Sequence, residues 1–153
     1  MKADLRKSVI LLKPEAVIND LGIVRDFIQQ HAKEFGLSQE KVDDLVLAVD
    51  EAVTNILVHG YQGQPGYLEI VIERNENHVS ASLRDRASPF DPMQVPEPDL
   101  TIPLEQRKLG GMGIFFVRHL IDQVDYQFLV DGGDEEHHPV NELTLTQYFQ
   151  REV

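Results

Sequence analysis

Three polar residues stand at helical spacing on one face of a segment that is apolar on most of its circumference. From Leu45 to Val58 the chain reads Leu-Val-Leu-Ala-Val-Asp-Glu-Ala-Val-Thr-Asn-Ile-Leu-Val, and Glu51, Asn55 and His59 fall at i, i+4 and i+8 on one face. A carboxylate and an amide on a buried helix are costly unless paired. They either hydrogen-bond to each other and close a core, or line a cavity that holds a ligand. In the second case the Asn55 carbonyl oxygen is a hard, neutral ligand suited to Mg2+, which keeps waters and shares its shell with substrate phosphates. Glu51, one turn earlier, is then placed as a general base for a water or an attacking hydroxyl. His59 reads as a helix-terminal or surface residue.

Two other segments offer complementary chemistry. Asp85 follows Ser82-Leu83-Arg84 at the end of an alternating run, where a carboxylate can accept a hydrogen bond from an amino group such as the exocyclic amine of adenine. Gly110-Gly111-Met112-Gly113 directly precedes an apolar helical run, where free backbone N–H groups and the helix dipole favour phosphate. Each signal alone is weak; their order along one chain is more specific. A further group, His137-His138 beside Asp134, Glu135 and Glu136, reads as a solvated turn, because adjacent residues on a turn rarely converge on one metal ion.

The elements that must position these residues follow from periodicity. Lys7 to Leu12 predicts a strand, with Pro14 opening a first helix whose broad apolar stripe (Ala16, Ile18, Leu21, Ile23, Val24, Phe27, Ile28, Ala32, Phe35) ends at Gly36. Ser38 predicts the start of a second helix, which runs to Val58 without Gly or Pro. Tyr67–Glu73 and Val79–Arg84 predict a hairpin around Asn75–Asn77. Residues 86–109 hold five of the eight prolines, which excludes a central strand and most of a helix and marks a long loop of the kind that serves as a lid, a binding segment or a disordered linker. Ile114–Ile121 predicts a third helix, and Val124–Val130 and Leu143–Phe149 the last strands. The expected fold is α+β: a two-layer sandwich of a mixed or antiparallel sheet covered on one face by about three helices.

Composition narrows the classes of partner. The 153 residues carry 14 Lys+Arg against 26 Asp+Glu, a formal net charge of −12, which argues against phosphate-backbone reading of nucleic acid and against anionic membranes. The acidity is uneven: residues 1–60 hold seven basic and ten acidic side chains, whereas 119–150 hold seven carboxylates and no Lys or Arg. That anionic end suits a basic protein partner or is a solvated face. No apolar run approaches the ~20 residues of a bilayer span, and Lys2, Asp4, Arg6 and Lys7 interrupt any signal-peptide core. The absence of cysteine excludes disulfides and thiolate chemistry and fits a reducing compartment, so a cytoplasmic domain is expected.

Taken in order, the motifs resemble those of the GHKL (Bergerat-type) ATP-binding domain, and more narrowly the bacterial anti-sigma factor serine/threonine kinases of partner switching. Asp50-Glu51-Ala52-Val53-Thr54-Asn55-Ile56-Leu57-Val58-His59-Gly60-Tyr61 is similar to that family's N-box. Arg84-Asp85-Arg86-Ala87-Ser88-Pro89-Phe90-Asp91-Pro92 resembles its first glycine box, with Ala87 where glycine is usual, and Leu109-Gly110-Gly111-Met112-Gly113-Ile114 resembles the second.

The resemblance implies a single domain over 1–153 with an ATP lid at 86–109. It implies Glu51 as the catalytic base, Asn55 as the Mg2+ ligand and Asp85 as the residue that recognises adenine. Ala87, Gly110, Gly111, Met112 and Gly113 would then contact the nucleotide, with Arg107 or Lys108 as cations near the phosphates. It further implies a homodimer that binds a sigma factor and uses ATP and Mg2+ to phosphorylate a small anti-anti-sigma (STAS-type) protein. The alternative is a partner-switching binding module without kinase activity, marked by Ala87, whose β-carbon can restrict close approach of the backbone to a nucleotide.

Overall fold

The computed structural model describes residues 6–91, 101 and 117–149. The first strand, β1 (Lys7–Ala16), passes through a short 3-10 turn (Ile18–Asp20) into α1 (Leu21–Glu34), and α2 (Gln39–Thr54) follows almost at once. Ser38 caps α2, its hydroxyl accepting the Lys41 N–H at 3.3 Å. Beyond Thr54 the helix widens into a π-helical turn (Asn55–Gly60), and strands β2 (Gly66–Arg74) and β3 (His78–Asp85) form the expected hairpin. Strands β4 (Gln123–Leu129) and β5 (Val140–Tyr148) complete one sheet of order β1-β2-β3-β5-β4, with every neighbouring pair antiparallel. This is the expected α+β sandwich.

Alternation along the strands places the core. Leu68, Ile70 and Ile72 of β2, Val79, Ala81 and Leu83 of β3, and Leu143 and Leu145 of β5 share the inner face. Val24, Ile28 and Ala32 of α1 and Val42, Leu45, Ala48, Val49, Ala52 and Val53 of α2 are the buried stripes that join them in one hydrophobic cluster. The outer face is mostly polar, with Ser82 against Thr144 and an Arg84–Glu142 ion pair at 2.7 Å. Its apolar part lies on the edge strand β1, where Ile10 is 61% and Leu12 50% exposed.

Two boundaries differ from expectation. Pro14 does not open α1; it lies inside β1, where an edge strand tolerates the missing N–H and the register shifts between Lys13 and Ala16. Strand β5 begins at Val140, three residues early, and so brings Asn141 into the sheet opposite Asp85. Residues 117–120 are helical and belong to the expected third helix; its earlier part lies outside the described residues. No helix among the described residues is long and apolar enough to cross a membrane.

Candidate nucleotide site

Asp85 ends β3 on the inner face, two residues beyond Leu83, so a position that would continue the apolar core carries a carboxylate. It is 5% exposed. Its Oδ1 accepts two hydrogen bonds, from the Ala87 backbone N–H and from Asn141 Nδ2, each at 2.9 Å. Burial pushes the Asp85 carboxyl above its ordinary value, and those two donors partly offset the shift by favouring the ion.

On the helix side the residues have few partners. Glu51 and Asn55 are half-buried, and no hydrogen bond joins their side chains to each other. The Glu51 carboxylate makes no hydrogen bond or ion pair among the described residues. Asn55 Nδ2 is buried and has no acceptor among the described residues. The reading in which the two side chains satisfy each other inside a core is therefore excluded. Just before them, Arg25 of α1 holds Asp50 at 2.6 Å and the Thr54 hydroxyl bonds back to the Asp50 carbonyl at 2.7 Å. Such back-bonding bends helices, and here it immediately precedes the π turn. His59 ends up exposed on that turn.

The end of the π turn meets the end of β3. The Tyr61 hydroxyl donates to the Tyr67 carbonyl at 2.6 Å and accepts the Arg86 N–H at 2.7 Å, so one phenol ties the start of β2 to the residue after Asp85. Burial raises its pKa to about 12, which keeps it a donor at any working pH. Gly66 lets the Tyr61 ring lie flat against the backbone, since a β-carbon there would fall 2.4 Å from the ring. Arg86 stacks on the Tyr67 ring at 4.0 Å and pairs with Asp134 at 3.0 Å. Ala87 packs its methyl toward Gly60, where an added β-carbon would lie 2.9 Å from it, and its backbone is not in the left-handed region that favours glycine.

No direct hydrogen bond or ion pair links Glu51 or Asn55 to Asp85 among the described residues; the Tyr61 and Gly60 contacts relate the two walls. Arg107, Lys108, Gly110, Gly111, Met112 and Gly113 lie outside the described residues, as does most of the expected lid. The acidic turn forms local pairs, His137 with Asp131 at 2.9 Å and His138 with Asp134 and Glu136, and no group of three His, Asp or Glu suited to a metal occurs among the described residues. A cation at Asn55 must therefore draw other ligands from water or from bound phosphates. One neutral amide oxygen fits Mg2+ used in that way.

Sequence reasoning missed Tyr61, Tyr126 and Asn141 as parts of the site. The i, i+2 alternation continued backward from Leu143 would have placed Asn141 on the inner face.

Residues 15–136 match the family model of the histidine kinase-like ATPase domain, and the chain belongs to that family. Among curated relatives, the serine-protein kinase RsbW of Bacillus thuringiensis is 28% identical over 147 residues, covering 94% of this chain and 86% of its own length. The serine-protein kinase RsbW of Oceanobacillus iheyensis is 32% identical over 117 residues, covering 73% and 72%. The crystal structure of the RsbU and RsbW domains of Rv1364c from Mycobacterium tuberculosis has the same fold, with a TM-score of 0.60 at 19% identity. That match covers 92% of this chain and 31% of the longer one.

Proposed function

We propose that this chain is a cytoplasmic, Mg-ATP-dependent protein serine/threonine kinase that also sequesters a sigma factor and phosphorylates an anti-anti-sigma protein. The observation that carries the reading is that the Glu51 and Asn55 side chains have no partner among the described residues, although they are half-buried on a helix whose apolar stripe is packed into the core. Polar groups left open in that way are stabilised by a ligand that brings its own donors and acceptors. The names of the relatives support the kinase class.

In this reading Asp85 Oδ2 accepts the adenine amine and Asn55 would hold Mg2+ through its amide oxygen. When bound, Mg2+ neutralises phosphate charge during transfer. Glu51 takes the proton of the substrate hydroxyl as that oxygen bonds to the γ-phosphorus and the bond to ADP breaks. The family resemblance assigns phosphate contact to Gly110, Gly111, Met112 and Gly113 and to the cations of Arg107 and Lys108, within one domain whose lid is 86–109. Ala87 lies beside the base-recognising Asp85. Ile10 and Leu12 on the open edge of β1 support homodimerisation.

Incubation with γ-labelled ATP, Mg2+ and candidate small acceptor proteins encoded nearby tests the reading. Mg-dependent label on an acceptor serine or threonine is the expected result. Absence of any calorimetric signal with millimolar Mg-ATP overturns nucleotide binding, and binding without transfer to any acceptor leaves a protein-binding module.

A further inference from the structure

Every hydrogen-bonding group of the Asn141 side chain is used within the protein. Its Nδ2 donates to Asp85 Oδ1 at 2.9 Å and to the Ala87 carbonyl at 2.9 Å, and its Oδ1 accepts the Tyr126 hydroxyl at 2.6 Å. These partners fix the amide's orientation, because a carboxylate and a carbonyl are both acceptors and only the NH2 end can face the two together. Through these bonds β4, β5 and the chain leaving β3 meet at one amide.

The consequence for Asp85 is asymmetry. Its Oδ1 holds two protein donors, whereas Oδ2 receives none among the described residues. A ligand amine at Oδ2 makes a charge-assisted bond, and a ligand carbonyl there meets acceptor against acceptor.

We infer that Asn141 is a specificity-determining positioning residue: it locks Asp85 through Oδ1 so that only Oδ2 faces a ligand, and thereby selects bases with an exocyclic amine over bases with an oxo group in its place. The inference rests on the nucleotide-binding reading above. Without Asn141, the Asp85 carboxyl keeps only the Ala87 N–H to hold it, and burial with one donor fewer favours its protonated form, which donates to an oxo group as readily as it accepts from an amine.

Calorimetry on the full chain with ATP and with ITP, which differ at the exocyclic position, tests this. Wild type should prefer ATP, and Asn141→Leu should lose about tenfold in ATP affinity while ITP affinity stays or rises, so that the preference collapses. Equal loss for both nucleotides, or an unchanged preference in a folded variant, overturns the inference. Tyr126→Phe removes only the phenol that orients the amide and should narrow the preference in the same direction by about threefold; it serves if Asn141→Leu does not fold. If wild type binds neither nucleotide, the nucleotide-binding reading fails. The lock on Asp85 is then tested in the ligand-free protein, where the 13C-detected carboxyl titration of Asp85 should move up in either variant. An unmoved titration overturns the lock.

Discussion

On the strand side of the site, Asp85, Asn141, Tyr126 and Ala87 form a closed set of hydrogen bonds between neighbouring strands, with one carboxylate oxygen left over. On the helix side, Glu51 and Asn55 have no such bonds among the described residues, and a buried amide nitrogen has no acceptor. The strand wall is organised within the protein, whereas under the proposed function the helix wall takes its partners from a ligand. Recognition of a base needs a fixed acceptor. Phosphoryl transfer needs groups whose interactions strengthen as charge moves, and bonds already formed within the protein would oppose that.

If that contrast is right, mutations on the two walls should separate activity from stability. The largest effect is expected for Asn55→Ala: Mg-ATP-dependent transfer falls by about a hundredfold or more while the melting temperature moves by no more than about 2 °C, because the amide makes no bond the fold relies on. Comparing labelled-phosphate transfer with a thermal melt decides it; a large loss of stability would show that the helix wall is structural after all.

Tyr61→Phe should do the reverse for stability, since it leaves the Tyr67 carbonyl and the Arg86 N–H without their shared partner. A loss of about 1–3 kcal/mol is expected in urea unfolding. A variant as stable as wild type would mean that the phenol is not what joins the π turn to β3.

Acidification sharpens the contrast through Asp85 alone. Its carboxyl is raised by burial, and an amine is accepted only by the ion, so the preference for ATP over ITP is complete above the raised pKa. It should fade as pH falls through that value, at a higher pH than an ordinary carboxylate would give. For the ligand-free fold the sign is opposite: a raised carboxyl destabilises the native state above its pKa and ceases to do so when protonated. The ATP-to-ITP affinity ratio, in which the titration of the phosphates cancels, measures the first effect. A ratio that fades only where an ordinary carboxylate titrates would show that burial does not raise the Asp85 carboxyl.

The smallest effect belongs to Ala87→Gly. The Ala87 backbone needs no left-handed conformation, and its methyl points toward Gly60. Nucleotide affinity should change by less than about threefold, with a stability loss of about 0.5–1 kcal/mol from added backbone freedom. A gain of tenfold or more in affinity would show that this methyl obstructs the nucleotide.

Much of this arrangement is legible in the sequence because local rules and tertiary packing agree there. The Ser38 cap, the apolar stripe of α2 and the β2–β3 hairpin each satisfy their own periodicity and are buried accordingly. The misreadings fall where a neighbour overrides the local rule. Pro14 suits a helix start taken alone, but the β2 pairing carries β1 past it at the cost of a register shift. Asn141 lies two residues after Pro139 and has poor strand propensity, so it reads as turn; its pairing with Asp85 and its bond to Tyr126 exist only once three strands have assembled. The π turn likewise follows from the Thr54 back-bond and the Tyr61 anchor acting on either side of it, and the i, i+4 spacing of Glu51 and Asn55 gives no sign of it.

The meeting of Gly60 and Ala87 also constrains how this chain can vary. The two positions share room for a single methyl group, and neither backbone lies in the left-handed region, so either residue can hold it but both cannot. Moving the methyl across, by Gly60→Ala together with Ala87→Gly, should be tolerated far better than Gly60→Ala alone. The first glycine box and the N-box are thus coupled in sequence: an alanine in one requires the other to stay bare.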